Sequence, residues 1–256
     1  MPEPAPADRR GDLRRQHREL RLLRGLRIPP DCGRGRPRDL LLGSGEVMTS
    51  GNAQLTLWRS EFGRQYTDRN DHDKPERAEA WRRLLSGIAP RRVLEVGCNV
   101  GWNLVYLDRL GISELYGIEP QIEAVARART RRPALNVLVG TAFDMPFRDR
   151  WFDLVFTSGV LIHIAPDALA GALDEIHRVA RRWIVAIEYD APIEQEVAYH
   201  GHRAALWKRD HRAAWQSRHP DLRLVRKLEL GPELGYDSCT AHLLEKGGAT
   251  QRIERF

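Results

Sequence analysis

The stretch VLEVGCNVGWNLVYL, residues 93–107, constrains this chain more than any other. It starts as a β-branched apolar run, stops on an acid, turns through two glycines and resumes with apolar residues at helical spacing. A glycine turn between a strand and a helix lets backbone approach a ligand closely. A dinucleotide site needs G-x-G-x-x-G, whose bare N–H groups cradle a pyrophosphate. Here the order is Glu95-x-Gly97-x-x-x-Gly101, with Asn99 in place of the second glycine. The acid beside that turn opposes a phosphate and suits a cation.

The surrounding pattern says what the turn belongs to. Segments 54–66 and 74–88 read as amphipathic helices, the second with Pro75 near its start and Gly87 near its end. An alternation follows: strand 92–96, helix 101–110, strand 114–119, helix 121–130 and strand 135–139, then strand 152–157, helix 166–180 and strand 182–188. Such alternation with short connections predicts an α/β fold, a doubly wound and mostly parallel sheet covered on both faces. The segments LRLVRKLEL and CTAHLLEK follow a polar, His-rich stretch and lie too close in sequence for another crossover, which predicts an antiparallel pair at the sheet edge. There is no internal repeat.

In such a sheet, ligands sit beyond the carboxyl ends of the strands. LYGIEP ends the second strand on Glu119, a carboxylate suited to two vicinal ribose hydroxyls. VGTAFDMPF follows the third strand and offers Asp144 to an adenine amino group beside Phe143. FDLVFTSGVLIHI closes the fourth strand with Thr157 and Ser158. One acid for a ribose, one for an adenine and no phosphate cradle describe a nucleoside without phosphates. Glu95 beside the turn suits a cationic ligand carrying an ammonium and a sulfonium, and S-adenosylmethionine is such a molecule. The competing readings are plainer: glycines that let helix and strand pack closely, Glu119 as a solvated strand end, and Asp144 as a turn former.

At these residues the chain resembles the class I S-adenosylmethionine-dependent methyltransferases. It resembles more narrowly the pseudaminic-acid-biosynthesis-associated methylases, through FGRQYTDRND, VLEVGCNVGWNL, FDLVFTSGVLIHI and YHGHRAALWKRD, over roughly residues 55–246. The resemblance implies a Rossmann-like seven-stranded sheet with an antiparallel C-terminal edge strand and N-terminal lid helices. It also carries over Glu95, Gly97 and Gly101 as the methionine-side turn, Glu119 as the ribose acid and Asp144 as the adenine contact, and Asn99, Asn103, Phe143 and Ser158 complete the expected cofactor set. Asn99 departs from the general class and suits the narrower group.

Methyl transfer from a sulfonium is an in-line displacement, and a base is needed only when the acceptor must lose a proton. His163 lies just past the fourth strand and is the candidate base; capping the helix that begins near Asp167 is its structural alternative. Tyr66, Arg69 and Asn70 on the lid, and Tyr199, His202 and Arg209 in the polar stretch 188–211, are candidates for the acceptor side. His200, His202 and His211 have the wrong spacing for a metal, and Cys32, Cys98 and Cys239 are scattered, so no metal site is expected.

The first expectation from these residues is an enzyme that methylates a small polar metabolite such as a sugar, a nucleoside or a natural-product intermediate. A second reading is an RNA or DNA methyltransferase. Against it, FTSGVL lacks the Asn/Asp-Pro-Pro-aromatic motif used on base amino groups, and no separate RNA-binding module is evident. A third is a cofactor-binding subunit without catalysis. The formal charge of +6 does not favour nucleic acid, because 37 arginines against four lysines reflect GC-rich coding. The absence of an apolar run of about 20 residues, of a secretory leader and of paired cysteines predicts a cytoplasmic protein with no membrane partner. Oligomeric state is left open.

Residues 1–47 hold 11 arginines and 7 acids among many prolines and glycines, and are expected to be disordered ahead of a domain spanning 48–256. An alternative translation start at Met48 would make them an artefact, and a basic docking arm is the competing role. A chain beginning at Met48 should melt at nearly the full chain's temperature and bind S-adenosylhomocysteine equally well. A drop of many degrees, or lost binding, would show that the segment packs on the domain.

Overall fold

A computed structural model describes residues 50–247, with side chains from residue 54. The proposed 1–47 extension lies outside the described residues. A seven-stranded sheet has the order β3-β2-β1-β4-β5-β9-β8. Its strands are β1 (Arg92–Val96), β2 (Glu114–Glu119), β3 (Asn136–Val139), β4 (Phe152–Ser158), β5 (Ala180–Glu188), β8 (Leu222–Leu230) and β9 (Cys239–Lys246). The first five pair in parallel, and β9 runs antiparallel to both β5 and β8. The last two strands thus form the expected antiparallel pair at one side of the sheet, with β9 inside and β8 outermost.

The strands read as nearly continuous apolar runs because both faces are covered. In β1, Val93 enters one core and Leu94 and Val96 the other. The first core packs α3 (Arg77–Leu84), α4 (Trp102–Arg109) and α5 (Ile122–Arg131) through Trp81, Leu84, Leu104, Leu107, Val125 and Ala128. The second packs α6 (Pro166–Val179) through Leu169, Ala172, Leu173, Ile176 and Val179, the i, i+3, i+4, i+7 stripe of an amphipathic helix. It also takes Trp215 from α7 (His211–Arg218).

Three local expectations need correction. The single helix over 54–66 is two: α1 (Ser50–Trp58) and α2 (Glu61–Asn70). They break where the Ser60 hydroxyl accepts from Phe62 N at 3.2 Å, an N-cap that starts a new helix. The helix over 74–88 contracts to Arg77–Leu84. The polar stretch 188–211, to which no strand was assigned, contains the antiparallel hairpin β6 (Gln195–Tyr199) and β7 (His202–Lys208), and α7 begins at its end. The hairpin turns through His200 and Gly201, with φ of 46° and 83°. Two successive left-handed residues are what a two-residue turn of the I′ kind requires. Its strands hid from the sequence because most of their side chains are exposed, burial being confined to Ala205–Trp207.

The two lid helices are fastened over the carboxyl ends of the strands. The Gln121 side chain donates to Trp58 O at 2.7 Å, and Gln54 both donates to His163 O (2.6 Å) and accepts from Ala165 N (2.8 Å). Gly63 makes the first of these possible. A Cβ there would lie 1.9 Å from Trp58 O and 2.0 Å from Gln121 Nε2, in the middle of the hydrogen bond.

Gly63→Ala should therefore destabilise, although alanine favours a helix by about 1 kcal/mol. The overlap should cost about 1–3 kcal/mol, lowering the melting temperature by several degrees and weakening cofactor binding. An unchanged or raised melting temperature would contradict this account of the lid.

Candidate active site

Strand order reverses between β1 and β4, and there the crevice opens. The β1 turn passes through Gly97 (φ 71°), Asn99 (φ 46°) and Gly101 (φ 79°). Asparagine is the side-chain-bearing residue best able to adopt such a conformation, and here its side chain is also used. Thr67 of α2 donates to Asn99 Oδ1 at 3.0 Å, so the residue replacing a glycine ties the turn to the lid. Gly97 N and Cys98 N both donate to Ile118 O, which joins the turn to β2.

Two acids end adjacent strands inside this crevice. Glu95 is 2% exposed; one oxygen accepts from Asn103 Nδ2 at 2.7 Å, while Oε2 and Asn103 Oδ1 are buried without a partner. Burial pushes its pKa up to about 8, against the lowering effect of Asn103. Glu119 accepts from Gln121 N (3.0 Å) and Asn99 N (2.9 Å), and burial raises it to about 7. Each of its oxygens keeps a second lone pair. Unmet buried acceptors cost about 1–3 kcal/mol each. Glu95 Oε2 and Asn103 Oδ1 therefore make a donor-rich, cationic group a fitting occupant.

His163 sits across the same cavity, at the end of a short 3₁₀ turn, Leu161–His163. Its Nδ1 lies 2.6 Å from Ala205 O of β7, and that carbonyl assigns the ring proton to Nδ1 and leaves Nε2 as the acceptor. Burial lowers its pKa to about 4, so the ring is neutral at pH 7. Aromatic rings from three elements surround it: Trp58 at 4.6 Å, Tyr199 at 5.1 Å and Tyr66 at 6.5 Å between centroids. Beneath the turn, Glu188 ends β5 with its carboxylate accepting from Val160 N, Leu161 N and Ile162 N at 3.1–3.3 Å. Three consecutive N–H groups on one buried acid fix the backbone that presents His163.

The cavity, of about 260 Å³, is lined by Glu95, Gly97, Asn99, Asn103, Glu119, Phe143, Ser158, His163, Tyr66, Asn70 and Tyr199 among the residues singled out above. Gly101, Asp144, Arg69, His202 and Arg209 fall outside that lining. Gly101 supplies the left-handed N-cap of α4, and His202 packs edge-on against Phe62 at 4.8 Å. Arg209 is 3% exposed and donates to Ile164 O at 3.0 Å, so it braces the His163 turn from behind. Lining residues not anticipated include Gln54, Trp58, Thr67, Tyr189 and Tyr236. Nothing in a helical or strand pattern marks those. Glu188 was legible in principle, since WIVAIE ends an apolar strand on an acid as LEV and YGIE do.

Known proteins resemble this chain in the same region. Residues 94–183 match the family described as methyltransferase domain. An uncharacterized methyltransferase from Synechocystis sp. is 34% identical over 95 residues, 37% of this chain and 44% of that protein. A tRNA U34 carboxymethyltransferase from Methylococcus capsulatus is 37% identical over 92 residues, 32% of this chain and 28% of that protein. This chain thus matches less than half the length of either relative. Among solved structures, the Burkholderia thailandensis 1,6-didemethyltoxoflavin-N1-methyltransferase, with bound 1,6-didemethyltoxoflavin and S-adenosylhomocysteine, superposes with a TM-score of 0.62. The match has 16% identity and covers 84% of this chain and 100% of that one. Residues 94–183 are similar to a methyltransferase domain, and the fold around them is shared with this solved structure. No described helix is long and apolar enough to cross a membrane.

With Glu95 held near 8 by burial, pairing with a ligand ammonium should pull its proton off. Binding of S-adenosylhomocysteine should release protons, and its affinity should climb as pH rises towards about 8. Calorimetry in two buffers of different ionisation enthalpy reads the proton count directly. Proton uptake, or the same release from Glu95→Gln, would contradict the pairing.

Proposed function

We propose that this chain transfers a methyl group from S-adenosylmethionine to a small polar metabolite, with residues 48–256 as the working unit in the cytoplasm. The observation that carries the reading is that Glu95, Glu119 and His163 line one cavity, covered on its acceptor side by α1, α2 and the β6–β7 hairpin. Bound there, S-adenosylmethionine supplies an electrophilic methyl on a sulfonium. Glu95 Oε2 and Asn103 Oδ1, both buried without a partner, would accept from its ammonium, and Glu119 would accept from its ribose hydroxyls. Phe143, with Asp144 beside it, flanks the adenine, and Ser158 closes the fourth side. Trp58, Tyr66 and Tyr199 exclude water from the acceptor.

His163 Nε2 is the group that takes the acceptor's proton. An imidazole with a pKa near 4 does not ionise a hydroxyl in advance. It would accept the hydroxyl proton that the acceptor gives up on methylation, the methyl being what S-adenosylmethionine would supply. The narrower likeness in FGRQYTDRND and YHGHRAALWKRD points to a sugar-acid pathway for the acceptor. The similar Burkholderia structure, with 1,6-didemethyltoxoflavin bound beside S-adenosylhomocysteine, also favours a small acceptor. The tRNA-modifying relative supports the alternative of an RNA substrate. A covered acceptor side is harder to reconcile with a polymer.

The test is methyl incorporation from labelled S-adenosylmethionine into a cell extract, separated into metabolite and RNA fractions. Label should enter the metabolites, and His163→Ala should cut turnover by about 10²–10⁴-fold with S-adenosylhomocysteine affinity unchanged. Labelled RNA alone would overturn the substrate class. Full activity with normal stability in His163→Ala would overturn the assignment of the base.

A further inference from the structure

We propose that Arg77 and Tyr236 hold the carboxylate of the cofactor's amino-acid tail, so that the cavity recognises S-adenosylmethionine as a zwitterion and discriminates against its decarboxylated form. The inference rests on the cofactor reading above, in which Glu95 and Asn103 accept from the ammonium. One carbon of the tail bears both the ammonium and the carboxylate. A site that takes the first therefore meets the second in the same small space, where the Glu95 carboxylate would repel it unless a cation stood by.

Arg77 supplies that cation. It opens α3, is half-buried and lines the cavity together with Glu95 and Asn103. Its Nε donates to Gly235 O at 2.9 Å, and its guanidinium carbon lies 4.4 Å from the centre of the Tyr236 ring. Those two contacts fix the guanidinium over the ring face. Among the described residues, neither terminal nitrogen has a hydrogen-bond partner and no carboxylate pairs with the side chain. Two parallel N–H donors remain, the fork that fits a carboxylate. The loop before β9 is shaped to this contact. Gly235 has φ of 77°, and a Cβ there would lie 3.0 Å from Arg77 Cγ.

Tyr236 adds a second donor. It is 3% exposed and lines the same cavity, and its hydroxyl is buried without a partner. Burial raises its pKa, so the phenol keeps its proton at neutral pH. Both residues lie within electrostatic reach of Glu95: the Arg77 charge lowers the Glu95 pKa, and the Glu95 charge raises that of Tyr236. The cavity thus sets two unmet acceptors, Glu95 Oε2 and Asn103 Oδ1, near unmet donors on Arg77 and Tyr236. Such a set complements an α-amino acid, and no ion of a single sign satisfies it. Lys74 lines the cavity too, but among the described residues no hydrogen bond fixes its ammonium. The Arg77 charge also reaches Tyr66 and Tyr189, so a carboxylate on the acceptor is the rival occupant.

The experiment is calorimetry on the full chain at neutral pH with two ligands, S-adenosylhomocysteine and decarboxylated S-adenosylhomocysteine, which keeps the ammonium. The unaltered chain should bind the first about ten- to a hundredfold more tightly, the worth of a hydrogen-bonded charge pair. Arg77→Met should lose that preference, with the decarboxylated ligand bound as before. Tyr236→Phe keeps the ring beneath the guanidinium and should lose about two- to tenfold on the first ligand alone. Lys74→Met should keep the full preference. Circular dichroism and melting temperature establish that each variant is folded, and Arg77→Gln replaces an Arg77→Met chain that is not. A preference that survives in folded Arg77→Met, as an acceptor-side role would leave it, would overturn the assignment and leave the cofactor reading intact. So would a loss shared equally by both ligands, or a preference that disappears in Lys74→Met. Failure of the unaltered chain to bind either ligand would overturn both.

Discussion

Gly97 faces Val160 across the gap where the sheet reverses its strand order, and a Cβ at 97 would lie 2.6 Å from Val160 Cγ2. The reversal sends the connections after β1 and β4 to opposite faces, so neither helix covers the gap between the strand ends. Only a residue without a side chain lets the two turns meet there. Everything on the cofactor side follows from that approach. Gly97 and Cys98 bond back to β2, Asn99 reaches both Glu119 and the lid, and Val160 begins the turn that presents His163.

The same crevice concentrates buried acids. Glu95, Glu119 and Glu188 end β1, β2 and β5, and burial raises all three, to about 8, 7 and 7. A carboxyl whose folded pKa lies above its unfolded value stabilises the protein at low pH, and that contribution fades as pH rises through the folded value. The protein therefore loses stability at these three positions between roughly pH 4.5 and their folded pKa values. His163 runs the other way: its depressed pKa contributes stability above the ordinary histidine value that is lost as pH falls towards about 4. Glu188 answers its cost with three backbone N–H donors, whereas Glu95 keeps an unpartnered oxygen. That difference separates an acid that holds a turn from one that awaits a ligand.

His163 shows how many elements one side chain can depend on. Its carbonyl is held by Gln54 of α1, its ring by Ala205 of β7, and its turn by Glu188 of β5 from below and Arg209 from behind. Trp58, Tyr66 and Tyr199 close around the ring. A shift of the hairpin would release the ring proton's carbonyl partner and open the acceptor side together. The lid and hairpin are therefore parts of one device, although they lie some 140 residues apart in sequence.

Alternating apolar runs of strand and helix length were enough to predict the doubly wound sheet and the antiparallel pair β8–β9. They also located the turn and the acids at 95 and 119, because a strand that enters the crevice must stop being apolar where it reaches the ligand. The hairpin β6–β7 was not readable, since its strands bury few side chains and carry little period-two signal. Trp58, Gln54 and Tyr236 are ordinary helix and loop residues until tertiary packing swings them over the strand ends. The stacked pair His177 and His219 was equally invisible, because residues 42 apart become neighbours only when α6 and α7 dock on the same face. Local pattern determined which segments are strands and which of them carry an acid near the end. Only the folded packing decided what faces them across the cavity, because those contacts join segments between which the chain keeps no fixed spacing.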